Sequence, residues 1–142
     1  MKNLFKIAAT FLLLFIASQS FAQVAYDVTW WYQGVQYRGL LVPQDDDSWF
    51  YRVRYVANGR VQMIDQSMAP VTYSDGIGLH GCCAVYANTQ IRCSTYSPDN
   101  LVLRYDGTAY NYDDNGSSYV QSITPVSTNR EYNRLWTTIF RR

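Results

Sequence analysis

The sequence predicts a small all-β domain, an antiparallel meander that forms a barrel or a sandwich, with one C-terminal α-helix packed on it. Three observations support this fold class. Helical periodicity is absent from residue 24 to about residue 126. The same stretch carries short runs rich in Tyr, Val, Trp, Thr and Ile between Gly, Asn, Asp and Pro, which is typical of strands joined by turns. One amphipathic pattern follows at the C-terminal end.

The chain of 142 residues has the length of one domain, preceded by a segment that resembles an export signal. Lys2 and Lys6 precede an apolar stretch over residues 7–17, which is shorter than a membrane span. Ser20 and Ala22 are the small residues of a cleavage site after Ala22. We therefore expect residues 1–22 to be a signal peptide and residues 23–142 to be one β domain. It would be exported to the periplasm or the extracellular space, with no membrane span.

The charge and composition exclude two classes of protein. The formal net charge of +1 lacks the strongly basic footprint of a nucleic-acid-binding protein, so we expect no nucleic-acid partner. An aromatic content of 16% argues against a disordered chain. Both lysines lie in the predicted signal peptide, so the mature domain would carry Arg as its only strong base. Because the arginines are spread along the chain, pairing with Asp and stacking on Tyr are favoured over an arginine-lined anion site.

Ten strands are predicted from the positions of the turn residues. They cover residues 25–33, 35–42, 49–57, 60–67, 70–74, 83–87, 90–96, 101–105, 108–113 and 117–124.

The dipeptide Asn58-Gly59 predicts a two-residue type I′ hairpin, because both positions of that turn need positive φ. Its register places Val53 opposite Ile64 and Arg52 opposite Asp65. One face then forms the core, and its members are Trp49, Tyr51, Val53, Tyr55 and Ile64. Arg52, Arg54 and Asp65 share the other, solvated face, where an Arg52–Asp65 pair would add little stability.

Asp106-Gly107 predicts a second two-residue hairpin, with Leu103 opposite Tyr110 and Leu101 opposite Tyr112. A further turn at Asn115-Gly116 would place Tyr112 opposite Tyr119. In that register one face holds Leu101, Leu103, Tyr105, Tyr110, Tyr112 and Tyr119.

A helix over about residues 129–141 is predicted by a capping box, Thr128-x-x-Glu131. An apolar stripe with helical spacing follows, formed by Tyr132, Leu135, Trp136, Ile139 and Phe140. We expect this stripe to pack on its own sheet in preference to a partner's groove.

The three cysteines predict a disulfide, because an exported chain meets an oxidising compartment. A three-residue loop at residues 87–89 would place Cys83 opposite Cys93, so we expect a Cys83–Cys93 bridge and a free thiol at Cys82. A Cys82–Cys93 bridge and a strained Cys82–Cys83 ring are the alternatives.

Catalytic and metal-binding patterns are weak. His80 lies close in sequence to Cys82, but a nucleophilic cysteine needs a base in hydrogen-bond geometry, which sequence proximity does not supply. The acidic loop at residues 45–47 is better explained as a solvated loop than as a weak calcium site. The NYDDNG segment at residues 111–116 is better explained as a hairpin turn than as a calcium loop, since the bidentate Glu of such loops is replaced by Ser122. We predict no catalytic residues, metal or cofactor.

The function is therefore predicted from the aromatic and arginine-rich surface that the sheet is expected to present. The hypothesis favoured is a non-enzymatic binding module for a protein or polysaccharide ligand, with Trp30, Trp31, Tyr32, Arg52 and Arg54 as binding residues. A two-sided core that covers both tryptophans is an equal alternative. The competing functions are a small hydrolase that uses His80 with Cys82 or an Asp, and an assembly subunit joined through Cys82 or a strand edge.

Overall fold

The computed structural model describes residues 24–113 and 116–141, and it confirms the all-β fold with a C-terminal helix. Eight antiparallel strands follow one another around a barrel, which closes where the first strand pairs with the last. The predicted signal peptide lies outside the described residues. The strands are β1 (Ala25–Tyr32), β2 (Val35–Pro43), β3 (Trp49–Ala57), β4 (Arg60–Tyr73), β5 (Gly76–Tyr86), β6 (Asn100–Arg104), β7 (Ala109–Asp113) and β8 (Gly116–Val126).

Three parts of the strand prediction differ from the structure. The strand predicted over residues 83–87 is only the end of β5, which begins at Gly76. Residues 60–67 and 70–74 form one continuous strand, β4, that runs through Pro70. Proline is tolerated there because β3 ends at the Trp49–Met68 pair, so β4 beyond Met68 has a neighbour on one side only. Residues 90–96 form no strand, and only an isolated Val85–Arg92 bridge links them to β5.

The Asn58-Gly59 hairpin has the predicted register. Val53 pairs with Ile64 and Arg52 with Asp65, and both turn residues have positive φ, 52° and 73°. The predicted core face of β3 is buried in full.

The β6–β7 hairpin is one residue out of the predicted register. Its loop has three residues instead of two, because a type I turn closed by the Gly107 N–H on the Arg104 carbonyl is followed by Gly107 at φ 87°. Leu103 therefore pairs with Ala109, and Tyr110 faces outward. A slip of one residue exchanges the two faces of a strand, so the prediction that Tyr110 and Tyr112 share a face with Leu101 and Leu103 is wrong.

The β7–β8 connection also differs from its prediction. Asp113 pairs with Gly116, which places Tyr112 opposite Ser117 and Tyr110 opposite Tyr119. The two residues between Asp113 and Gly116 lie outside the described part of the chain.

The barrel interior is filled by side chains, as expected for eight strands. Trp30 stacks on Tyr37 and Tyr51 at ring centroid distances of 5.3 and 6.1 Å. The interior cluster consists of Tyr26, Val28, Trp30, Leu41, Trp49, Tyr51, Val53, Tyr55, Ile64, Met68, Leu79, Ala84, Cys93, Leu101, Leu103, Ala109 and Val120.

The C-terminal helix α1 (Asn129–Leu135) continues into a π-helical turn, Trp136–Phe140. Thr128 caps it by accepting a hydrogen bond from the Glu131 N–H at 3.1 Å, whereas the Glu131 carboxylate pairs with Arg134. The predicted apolar stripe packs on the outside of the barrel and forms a second core. Its barrel side is Ala25, Leu40, Val42 and Val126.

Candidate functional site

The Trp30-Trp31-Tyr32 cluster is divided between the two faces of β1. Trp30 is 2% exposed inside the barrel, whereas Trp31 is 51% exposed and its indole N–H donates to Gln121 Oε1 at 2.8 Å. Tyr32 is half-buried at the end of the strand. Adjacent residues of a strand point to opposite faces, so one ring of this cluster is removed from any surface site.

Arg52 is buried, which corrects its predicted place on a solvated face. Its guanidinium binds both carboxylate oxygens of Asp65 at 2.7 and 2.8 Å. It also donates to the Phe140 carbonyl at 2.9 Å and to Asn88 Oδ1 at 2.8 Å, and it lies 4.5 Å from the ring centroid of Trp136. The C-terminal helix covers this face of β3, so the surface pair predicted with Asp65 is an internal anchor.

The predicted binding cluster therefore does not assemble. Arg52 is occupied by protein partners and Trp30 lies in the core, while Arg54 is half-buried on the outer face of β3. Trp31 remains as the exposed aromatic residue of the set.

The cysteines also differ from their predicted arrangement. The sulfur atoms of Cys82 and Cys83 are in close contact as a vicinal disulfide pair, and Cys93 is the buried free thiol. The loop after β5 has one residue more than expected, which shifts the pairing by one residue. The Cys93 N–H accordingly donates to the Ala84 carbonyl at 3.0 Å. Ala84 therefore takes the place opposite Cys93 that had been assigned to Cys83, and a Cys83–Cys93 bridge does not form.

The vicinal pair lines a surface groove with a volume of about 930 Å³. The β2–β3 loop forms one wall with Asp45 and Asp46, and the loop after β5 forms the other. Hydrogen bonds from Ser48 lower the pKa of Asp46, so its carboxylate is charged at neutral pH. The groove thus combines an acidic rim with an exposed sulfur pair.

A second depression, of about 460 Å³, lies on the outer surface of β5, β6 and β7. Strand pairing aligns His80 with Asn100 and Asn100 with Tyr112 across it. The ring of Tyr73 lies over Gly78, where a Cβ atom would come within 2.5 Å of that ring. We call this surface, formed by Tyr73, His80, Asn100, Val102, Arg104, Tyr110 and Tyr112, the aromatic face.

Stacking orders the rings of the aromatic face. The Arg104 guanidinium lies 4.5 Å from the ring centroid of Tyr110, and the rings of Tyr110 and Tyr112 are stacked at 6.1 Å. Asp75, 3.6 Å from Arg104, offsets its charge. The sequence did not indicate this surface, because the loop predicted at Asp106-Gly107 had two residues instead of three. The Asp106 carboxylate, which accepts from the Thr108 N–H at 2.8 Å, was a local signal for the longer turn.

Asp99 is the centre of a buried polar cluster that sequence analysis also missed. Its carboxylate accepts hydrogen bonds from Gln66 at 2.6 Å, Tyr96 at 2.7 Å and Asn111 at 2.7 Å, and the Gly81 N–H donates to its carbonyl. Burial and the nearby Asp99 raise the pKa of Tyr96 well above its ordinary value. These bonds hold the segment between β5 and β6 against the barrel, so we interpret the cluster as structural.

His80 and Cys82 lie in different depressions. His80 lines the aromatic face and Cys82 lines the groove, where Cys83 occupies its sulfur. Within the described ranges, no group of three or more His, Cys, Asp or Glu side chains is arranged to hold a metal ion. The same ranges contain no helix that is long and apolar enough to cross a membrane.

Comparisons of this chain with protein family models, with curated proteins and with solved structures find no match.

Proposed function

We propose that the protein is an exported, non-enzymatic binding module whose aromatic face binds a neutral polysaccharide. The observation that carries this proposal is the two exposed rings of Tyr73 and Tyr112, which line a depression of about 460 Å³. Exposed aromatic rings offer large apolar area at low entropic cost, and the polar tip of tyrosine tolerates water.

The polar groups between the rings support a sugar ligand. Asn100 offers a donor and an acceptor, and His80 lies beside it on the neighbouring strand. A sugar presents apolar C–H faces and hydroxyl edges, which rings and amides of this kind complement. Because Asp75 offsets the charge of Arg104, the surface favours a neutral chain over an anionic one.

Export is supported by the sequence of residues 1–22 alone. Polysaccharides of cell surfaces and of the surroundings are accessible to a protein that has left the cytoplasm, so the proposed location and ligand are compatible.

Retention on immobilised polysaccharide tests the proposal. The purified protein is passed over dextran, cellulose and chitin, and the Tyr112→Ala variant is compared with Tyr105→Ala. Tyr105 is exposed in the β6–β7 turn, outside the aromatic face, which makes it a matched control. We expect at least one neutral matrix to retain the protein, with binding at least tenfold weaker in Tyr112→Ala and within twofold of wild type in Tyr105→Ala.

Two outcomes would overturn the proposal. One is the absence of retention on all three matrices. The other is binding of Tyr112→Ala that equals the wild type, which would place the ligand elsewhere on the molecule.

A further inference from the structure

We propose that the vicinal pair Cys82–Cys83 is a thiol–disulfide exchange site that reacts with small neutral or cationic thiols in the groove. Both residues are exposed, and both line the open space of about 930 Å³. A small thiol can therefore enter the groove and approach the sulfur atoms without any unfolding of the barrel.

A purely stabilising role does not explain this pair. A disulfide stabilises mainly by closing a loop of the unfolded chain, and the effect grows with the length of that loop. Cys82 and Cys83 are adjacent, so their bond closes almost no loop. The bond therefore adds little to the stability of the barrel through loop closure, which leaves its chemistry as the property to explain.

The backbone at the pair is locally irregular. Asp65 pairs with Val85 and Ser67 with Cys82, so Gln66 faces two residues of β5 and the strand is bulged. Cys83 has φ 62°, a left-handed conformation that non-glycine residues rarely adopt. Breaking the sulfur–sulfur bond releases Cys83 from the ring that holds this conformation.

A cation lies beside one of the two sulfurs. The Arg92 guanidinium is 3.9 Å from Cys83 Sγ, a position from which it stabilises a thiolate. We therefore assign Cys83 as the leaving sulfur and Cys82 as the sulfur that is attacked. The attacking thiolate forms a bond to Cys82 Sγ while the Cys82–Cys83 bond breaks, and Cys83 departs as a thiolate that later takes a proton.

A second external thiol completes the exchange. It attacks the external sulfur of the mixed disulfide and releases Cys82 as a thiol. Two external thiols thus become one external disulfide, and the vicinal disulfide becomes two protein thiols. The acidic rim at Asp45 and Asp46 sets the class of reactant, because it repels a thiol that carries a negative charge.

Alkylation with iodoacetamide, read by peptide mass, tests the exchange on the purified protein. Before reduction we expect no label on Cys82 or Cys83. After dithiothreitol we expect both to be labelled, while buried Cys93 stays unlabelled and the circular dichroism spectrum is unchanged. Label on the pair before reduction, or label that appears on Cys93 at the same rate, would show that no exchangeable disulfide exists in the folded protein.

Two variants test the assigned groups. Arg92→Gln should slow reduction by cysteamine about fivefold, whereas the control Arg54→Gln on β3 should leave the rate within twofold. Relative to their rates on hydroxyethyl disulfide, cysteamine should outpace 3-mercaptopropionate, and the preference should shrink in the Asp45→Asn/Asp46→Asn double variant. An unchanged rate in Arg92→Gln, or no preference between the two thiols, would overturn the assignment. These readouts are independent of polysaccharide binding.

Discussion

Arg52 joins three segments of the chain through one guanidinium group. It pairs with Asp65 on the next strand, holds Asn88 in the loop after β5, and donates to the Phe140 carbonyl at the end of the helical segment. The guanidinium carbon of Arg52 lies over the Trp136 ring, 4.5 Å from its centroid. Arginine suits this position because its planar fork can satisfy several acceptors at once, which the ammonium of lysine cannot.

Replacing Arg52 by Met should therefore destabilise the protein. The change leaves the Asp65 carboxylate without its cation and the Phe140 carbonyl without its donor, and loss of one partner of a buried pair costs about 3 kcal/mol or more. The free energy of unfolding from urea denaturation measures the effect. Arg54→Met is the control, since Arg54 lies two residues away on the same face of β3 and is less buried.

Equal stability of the two Met variants would contradict the role given to Arg52. Hydrogen exchange provides a second readout, because Arg52→Met should raise the exchange rates of residues 136–140 more than those of β3.

At the scale of elements, local turn signals predicted the ends of most strands, while the length of each loop determined which face of the sheet the following side chains occupy. The Asn58-Gly59 turn has two residues and gave the expected register. The turn at Asp106-Gly107 has three, because Gly107 adopts φ 87° after a type I turn. This one extra residue moved Tyr110 from the face it was predicted to share with Leu103 to the outer face. The helix packs as its apolar stripe predicts, although it ends in a π-helical turn.

The N-cap of the helix offers a test at this scale. Thr128→Ala removes the side-chain acceptor of the Glu131 N–H, so we expect a loss of about 1 kcal/mol in the free energy of unfolding. Thr137→Ala is the control, because the Thr137 hydroxyl only bonds back to carbonyls that the helix already engages. A Thr128→Ala variant as stable as Thr137→Ala would show that the cap contributes nothing.

The whole molecule is a barrel packed with tyrosine and tryptophan, and this has a consequence for its stability in alkali. Burial, followed by the charges of Asp99 and Asp27, raises the pKa of Tyr51 well above its ordinary value. Burial likewise raises the pKa of Tyr55 to about 12. The unfolded chain ionises these groups near the ordinary value of 10.0, whereas the folded chain keeps them neutral.

These neutral tyrosines should therefore contribute fully to the free energy of unfolding below pH 10. Their contribution should be lost as the pH rises toward their folded pKa values. For one fully buried tyrosine the slope is about 1.4 kcal/mol per pH unit. Urea midpoints at pH 8, 10 and 11 measure it. Tyr51→Phe should fall less steeply than the wild type above pH 10.

The same variant has an expected outcome at neutral pH. Among the described residues the buried Tyr51 hydroxyl has no hydrogen-bond partner, so its removal should leave stability at pH 8 unchanged or increased. A loss of more than 1 kcal/mol at pH 8, or an unchanged alkaline slope, would contradict this account of the core.

The sequence by itself determined the fold class, most of the strands, the register at Asn58-Gly59 and the apolar stripe of the helix. These properties depend on residues that are close along the chain, where spacing and turn preference act directly. They also placed Trp30 and Trp31 on opposite faces of one strand.

Only the tertiary structure decided which of the outward-pointing side chains are exposed to solvent. Arg52 and Trp31 both point out of the barrel, but the helix covers Arg52, and no local pattern specifies where a helix from the far end of the chain will lie. The cysteine pairing and the aromatic face depended on single-residue changes in loop length, which move every later side chain by one position. The aromatic face on β5, β6 and β7 thus follows from the lengths of the neighbouring loops, whereas the burial of Arg52 follows from packing between distant segments.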